Sequence, residues 1–372
     1  MTVDFFSLIA SPEFDCLDFH DCNQLSSQEQ QDVSQRLYKP LRLLLEDVGY
    51  KQHTVPPDDK LRHDLDEWVN EHVRPILPGK DKVLARTMEY AVTFAEYCYP
   101  LCQHETKFVV AALTTVIISC DDSSTILDSD QRSSLSLVLF RSVARTSSQW
   151  LLERGLKTRS HNVMSAFVDA CARETRMETE LPLCNVDPKR LMHSHPKEEE
   201  CSLEGFPAYL RSSSAAPLLY LIASFKISRQ KEVDSNIYIS SIPSISHFIN
   251  YMNDLLSFPK EMADGETWNY IFLKTNASRQ AGRQSMFESN SSKLWTVRDT
   301  FYELLESVRR ATLGVDQAFT KCIPPDSNDM NLVQKDIRLA AQLWTAHKNG
   351  YIAWHLTSKR YRLDGLFEEM EN

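Results

Sequence analysis

Residues 104–124 read HETKFVVAALTTVIISCDDSS, and this stretch decides the fold. Its longest apolar run, Val109–Ser119, is too short to cross a bilayer and has apolar residues nearly all round at helical spacing. Such a segment is a helix buried among other helices. It ends abruptly in Asp121 and Asp122, two adjacent carboxylates at a helix C-terminus, an end that repels anions. Two readings of that pair stand: a solvated helix end built from turn-forming Asp and Ser, or coordination of a divalent cation that supplies the missing positive charge.

Outward from that helix, apolar residues recur at a period of 3.6 along most of the chain. Residues 26–50 predict a helix interrupted or bent near Pro40, residues 59–77 a helix that stops at Pro75, and residues 81–100 a helix closed by Pro100. Further helices are expected near 131–153, 159–180, 206–225, 242–261, 296–320 and 331–359, with polar connections near 182–204 and 274–293. No strand-rich region, internal repeat or low-complexity tract is visible. The expectation is a single all-α domain over residues 1–372, with residues 1–30 a candidate flexible segment.

Composition narrows the function. The 372-residue chain carries a net charge of −10 and a pI of about 5.6, which gives no basic footprint for nucleic acid. It has only 9 glycines, and neither a G-x-x-x-x-G-K-[ST] nor a G-x-G-x-x-G pattern occurs. Nine cysteines without a C-x-x-C pair fit a reduced, cytoplasmic chain better than a disulfide framework. The first residues, MTVDFFSLIASPEFDCLDF, lack the basic start of a signal peptide, so no membrane insertion is expected.

A second acidic element lies at residues 251–261, YMNDLLSFPKE. Asn253, Ser257 and Glu261 recur every four residues, slightly more than one turn, and so share a helix face. Alone, such a stripe also describes a solvated face. Paired with Asp121 and Asp122, it offers the hard oxygen ligands of Mg2+ and none of the Cys/His set of zinc. A diphosphate bridged through metal ions would explain how an acidic protein binds an anion.

With these motifs in hand, the sequence resembles the fungal class I sesquiterpene synthases of the trichodiene synthase family. CDDSST stands where that family has its aspartate-rich motif, NDLLSFPKE matches N-D-x-x-S-x-x-K-E, and NGYIAWHLTSKRYRLDGLFEEM matches the C-terminal segment around an Arg-Tyr pair. The correspondence covers roughly residues 95–370, and the N-terminal third matches poorly.

The resemblance implies a helical bundle around an apolar cavity and an Mg2+-dependent lyase that ionises farnesyl diphosphate and cyclises the cation. It implies three Mg2+ ions, two held by Asp121 and one by Asn253, Ser257 and Glu261. Arg211, Lys260, Arg360 and Tyr361 would bind the diphosphate, with Asp122 pairing to Arg360 on closure. A homodimer is usual in that group. Four features depart from the pattern: Thr125 ends the first motif without a carboxylate, Pro259 lies inside the second, Thr114 and Val116 replace tyrosines below Asp121, and the N-terminal third diverges. The last two point to a different product, such as a bridged alcohol of the longiborneol type. Two alternatives remain: a chain-elongating prenyltransferase, and an isoprenoid-binding helical protein whose catalytic motifs have decayed.

Overall fold

The computed structural model describes residues 3–18, 26–121, 131, 134–135, 205–213, 216–266, 269–287, 293–321 and 332–366. These residues form helices joined by turns, and none lies in a strand; two isolated bridges, Lys226 to Glu232 and Gln284 to Leu294, are the only extended pairings among them. The expected all-α architecture is what the chain adopts. The helices expected at 131–153 and 159–180, the connection at 182–204, and Asp122 and Thr125 fall almost wholly or wholly outside the described residues.

Numbered along the described chain, the α-helices of five residues or more are α1 (Phe5–Ile9), α2 (Ser27–Arg36), α3 (Tyr38–Asp47), α4 (Asp59–His72), α5 (Asp81–Cys98), α6 (His104–Asp121), α7 (Phe206–Ser213), α8 (Ala216–Ser224), α9 (Ile242–Ala263), α10 (Tyr270–Gln280), α11 (Val297–Lys321) and α12 (Leu332–Thr357). Side-chain caps fix several starts. Ser26 and Glu29 form a reciprocal capping box at α2. The Asp58 carboxylate accepts from the Leu61 amide at α4, and Asn269 accepts from Phe272 at α10. The break expected near Pro40 falls at Leu37, between α2 and α3, which places the proline in the first turn of α3 where its missing N–H is tolerated.

As its sequence demands, α6 is buried on every side: Val110, Ala111, Ala112, Leu113, Thr114, Thr115 and Val116 are all in the interior. It packs along α5, and α5 in turn along α12. The α5–α12 approach is backbone to backbone. A Cβ on Gly350 would stand 1.8 Å from the Tyr97 carbonyl oxygen, so only glycine fits there.

The 22-residue helix α9 is the hub, with contacts to α2, α8, α11 and α12. Phe248, Met252, Leu255, Leu256 and Phe258 are fully buried along it, each contributing on the order of 1.5–3 kcal/mol. Pro259 removes one helical donor, yet α9 runs through it to Ala263. Gly265 then takes φ +67°, and the chain turns back so that the Glu266 amide donates to the Glu261 carbonyl at 2.8 Å.

One segment differs from the expectation. The polar connection expected at 274–293 begins with a helix, because α10 extends to Gln280. Residues 3–18, within the stretch whose order the sequence left open, pack on α11: Phe5, Ile9, Phe14 and Leu17 are buried, and Arg298 donates to the carbonyls of Ile9 (2.7 Å) and Ser11 (3.1 Å) and to Asp15 (2.8 Å).

Candidate functional site

The site is built on the C-terminal half of α9. Asn253 lies at the centre of a polar group contributed by three helices and the segment after α12. Its amide oxygen accepts from the Arg211 guanidinium of α7 at 2.9 Å. Its amide nitrogen faces Nε2 of His355 at 3.1 Å and the Tyr361 hydroxyl at 3.2 Å. Residues separated by about 100 positions in sequence thus converge on one amide.

Arg211 also grips Asp254 in a two-point contact, through Nη2 at 2.9 Å and Nε at 3.2 Å, and donates to the Asn250 carbonyl at 3.3 Å. The planar fork of a guanidinium matches a carboxylate or a phosphate equally well. Burial nevertheless outweighs the attraction of Arg211 and pushes the Asp254 carboxyl up to about 6.

One turn on, Ser257 is buried, and its hydroxyl donates to the Glu261 carboxylate. Burial, reinforced by the negative charge of Glu266, pushes Glu261 up to about 8, and the Ser257 hydrogen bond opposes this only in part. A carboxyl so disfavoured as an anion beside Asp254 is a place where a divalent cation would relieve electrostatic cost. The donor set is an amide oxygen, a hydroxyl and a carboxylate, suited to a hard cation, so these residues fit Mg2+.

The other expected residues divide. Tyr361 is buried with its ring 4.3 Å from that of His355 and 5.4 Å from that of Trp354. Its position is fixed by the next residue: Arg362 takes φ 54°, pairs with Asp264 at 2.7 Å, and its carbonyl accepts from the Tyr38 hydroxyl. Arg360 is half-buried, its guanidinium carbon 5.9 Å from the centre of the Tyr361 ring. Lys260 turns toward the end of α9, where it lies 3.7 Å from Asp264 and 3.8 Å from Glu266. Asp121 closes α6, and α8 contacts both α6 and α9.

Sequence reasoning passed over Asp254 and His355, although both lie inside the quoted motifs. Asp254 sits one residue off the 253–257–261 stripe. His355 is fully buried, with Nδ1 2.7 Å from the Tyr351 carbonyl. Burial and the nearby Arg360 charge bring its pKa down to about 3, so the ring is neutral.

From Tyr361 an aromatic layer leads into the interior. Trp354 meets Phe94 at 5.0 Å, Phe94 meets Tyr220 at 4.7 Å, and the Tyr220 hydroxyl is 3.1 Å from that of Thr114 on α6. Where the resembled family was expected to carry tyrosines on α6, Tyr220 of α8 brings a phenol to the same level.

A different acidic group, His63, Asp64 and Glu67 on α4, lies beside the first residue of α6, the opposite end from Asp121. Asp64 is already paired with Lys60 and, at 2.7 Å, with His104, on an exposed helix face. It is not the expected metal site. No helix among the described residues is long and apolar enough to cross a membrane.

No family model matches the chain. Its sequence relatives are fungal terpene synthases. It is 30% identical over 158 residues to terpene synthase BipA of Cochliobolus sativus, covering 42% of this chain and 39% of BipA. It is 25% identical over 337 residues to alpha-cuprenene synthase COP6 of Coprinopsis cinerea, covering 88% of each. To longiborneol synthase CLM1 of Gibberella zeae it is 25% identical over 283 residues, covering 73% of this chain and 70% of CLM1. The match to BipA therefore spans about two fifths of that protein's length. The chain is an all-α relative of fungal terpene synthases.

Proposed function

We propose that the protein is a sesquiterpene synthase of the trichodiene synthase type. It ionises farnesyl diphosphate with the help of Mg2+, cyclises the allylic cation and releases diphosphate. The observation that carries this reading is the convergence on one face of α9 of Asn253, Ser257 and Glu261, with Arg211 and Tyr361 bonded to the Asn253 amide itself.

Asn253, Ser257 and Glu261 would hold one ion, and Asp121 two more. When bound, the metal supplies Lewis-acid stabilisation of the charge that develops on the departing diphosphate. Arg211 is built for the same anion, since its fork can exchange the Asp254 carboxylate for phosphate oxygens. The Tyr361 hydroxyl, Arg360 and Lys260 add donors, and losing one such donor costs roughly 10²–10³ in rate by analogy with oxyanion sites. Breaking the allylic C–O bond sends the electron pair to diphosphate and leaves a carbocation that must be kept from water. The buried layer of Phe94, Tyr220, Tyr351 and Trp354 offers π faces to such a cation, each worth on the order of 2 kcal/mol in a dry site. A product of the longiborneol or cuprenene kind agrees with the relatives, and a bridged alcohol with the Thr114 departure.

The test is incubation of purified protein with C10, C15 and C20 allylic diphosphates and Mg2+, with and without isopentenyl diphosphate, and products read by mass spectrometry. A cyclic C15 product from farnesyl diphosphate, abolished by EDTA, is the expected result. Extension of isopentenyl diphosphate would replace the reading with a chain-elongating enzyme, and inertness toward all three substrates would overturn it.

A further inference from the structure

We infer that His355 is a positioning residue that sets the sense of the Asn253 amide, so that its oxygen rather than its nitrogen is presented to the cation. The inference rests on the reading of Asn253 as a metal ligand. The two ends of a side-chain amide are nearly equal in size, and a half-turn about the last torsion exchanges them. The exchange would turn an NH2 group, which has no lone pair to give, toward the ion.

Three groups touch the amide, and they differ in what they can select. The Tyr361 hydroxyl, 3.2 Å away, donates or accepts and so tolerates either sense. Arg211 only donates and therefore selects the oxygen, at 2.9 Å. Arg211 is also the group whose fork suits the diphosphate, and a guanidinium drawn to phosphate oxygens no longer selects anything at Asn253. That leaves His355.

Its tautomer is fixed by geometry. Nδ1 lies 2.7 Å from the Tyr351 carbonyl, which can only accept, so Nδ1 carries the proton; Arg211, which can only donate, marks the far end of the amide as its oxygen, so Nε2 faces the NH2 end and meets it with a lone pair. Nε2 then accepts from the Asn253 nitrogen at 3.1 Å. With the amide reversed, two acceptors would face each other at that distance with no proton between them. The ring cannot turn aside either. It is fully buried, 4.3 Å from Tyr361, 4.6 Å from Tyr351 and 4.8 Å from Trp354. The Tyr351 hydroxyl donates at 2.8 Å to the Ile249 carbonyl on α9, one turn before Asn253, so ring and amide are referenced to the same helix. Arrangements of this kind, in which a buried partner orients a ligand, alter metal affinity by about 10–100-fold when removed.

The test measures binding of Mn2+ by electron paramagnetic resonance in the presence of inorganic pyrophosphate, for the wild type, His355→Leu, His355→Gln and Glu261→Gln. Leucine removes the acceptor and leaves one of the two Asn253 N–H donors without its partner, while the other keeps Tyr361 and the Tyr351 carbonyl keeps its helical partner. His355→Leu is expected to weaken Mn2+ by about 10–100-fold, and His355→Gln, which restores an acceptor, to recover most of the loss. Wild-type affinity in His355→Leu, with Glu261→Gln impaired, overturns the role of His355 and leaves the metal site standing. Mn2+ binding by the wild type that does not depend on Glu261 removes the metal site and this inference with it. If His355→Leu fails to fold, nitrogen NMR of the wild-type ring decides the matter: a protonated Nδ1 supports the inference, and a protonated Nε2 overturns it.

Discussion

Glu261→Gln in the metal-free protein isolates the electrostatic cost of the proposed ion site. The Glu261 carboxyl is pushed from 4.5 up to about 8 in the folded state. A folded pKa above the unfolded one means that the native state holds its proton more tightly. Stability from this group is therefore fully present below about pH 4.5 and lost as the pH rises toward 8. Each unit of difference is worth about 1.4 kcal/mol, so 3.5 units set a ceiling near 5 kcal/mol. Glu261 is partly exposed at the end of α9, and water there reduces the effect to about 2 kcal/mol. For 372 residues, at roughly 2.1 cal/mol/K each, that corresponds to about 2–3 °C in Tm. The assay is calorimetry of the wild type and Glu261→Gln in EDTA at pH 5 and pH 8.5. Asp254 titrates in both proteins, so their difference reports Glu261 and its mutual repulsion with Asp254. The two should melt within about 1 °C of each other at pH 5, and Glu261→Gln about 2–3 °C higher at pH 8.5. Mg2+ with pyrophosphate should then raise the wild type above the variant. Parallel Tm curves across the two pH values would refute the argument.

Three further outcomes are expected. Arg211→Ala leaves the buried Asp254 carboxylate without its two-point partner, so urea melts should show a loss of about 2–3 kcal/mol at pH 8 and less at pH 5, where Asp254, with its pKa near 6, is protonated. Gly350→Ala drives a methyl group into the Tyr97 carbonyl; thermal melts should show at least about 3 kcal/mol of destabilisation, whereas Gly314→Ala, with nothing within 4 Å, should be tolerated. A double-mutant cycle of Thr114→Val and Tyr220→Phe should give a coupling of about 1 kcal/mol for their hydroxyl pair.

Helical periodicity made α4, α5, α6, α9, α11 and α12 legible, because each buries an apolar face or is apolar all round. Helix α10 escaped notice. Its segment, YIFLKTNASRQ, bunches its apolar residues in the first turn, and beyond it Thr275 and Ser278 are buried, with the Thr275 hydroxyl satisfied on the Ile271 carbonyl and Thr300. A helix that buries hydroxyls in place of methyls carries little apolar signal. The Asn253–Ser257–Glu261 stripe was readable because its spacing is local. Asp254 and His355 were not, since their roles depend on Arg211, 43 residues away from one, and on Asn253, 102 residues away from the other. No local pattern encodes a contact over such a span. The break at Leu37 rather than Pro40 has the same lesson at short range: proline disrupts a helix by what it lacks, and the first turn does not need it.

The attachment of residues 3–18 has a practical bearing on any shortened form of the protein. The donors of Arg298, a side chain only 4% exposed, go to Ile9, Ser11 and Asp15 on that stretch. Cutting away the first eighteen residues would strip a sealed-in cation of these acceptors and uncover the greasy flank of α11. Truncation for recombinant expression would thus begin by damaging the helix that braces α9, well away from the chemistry.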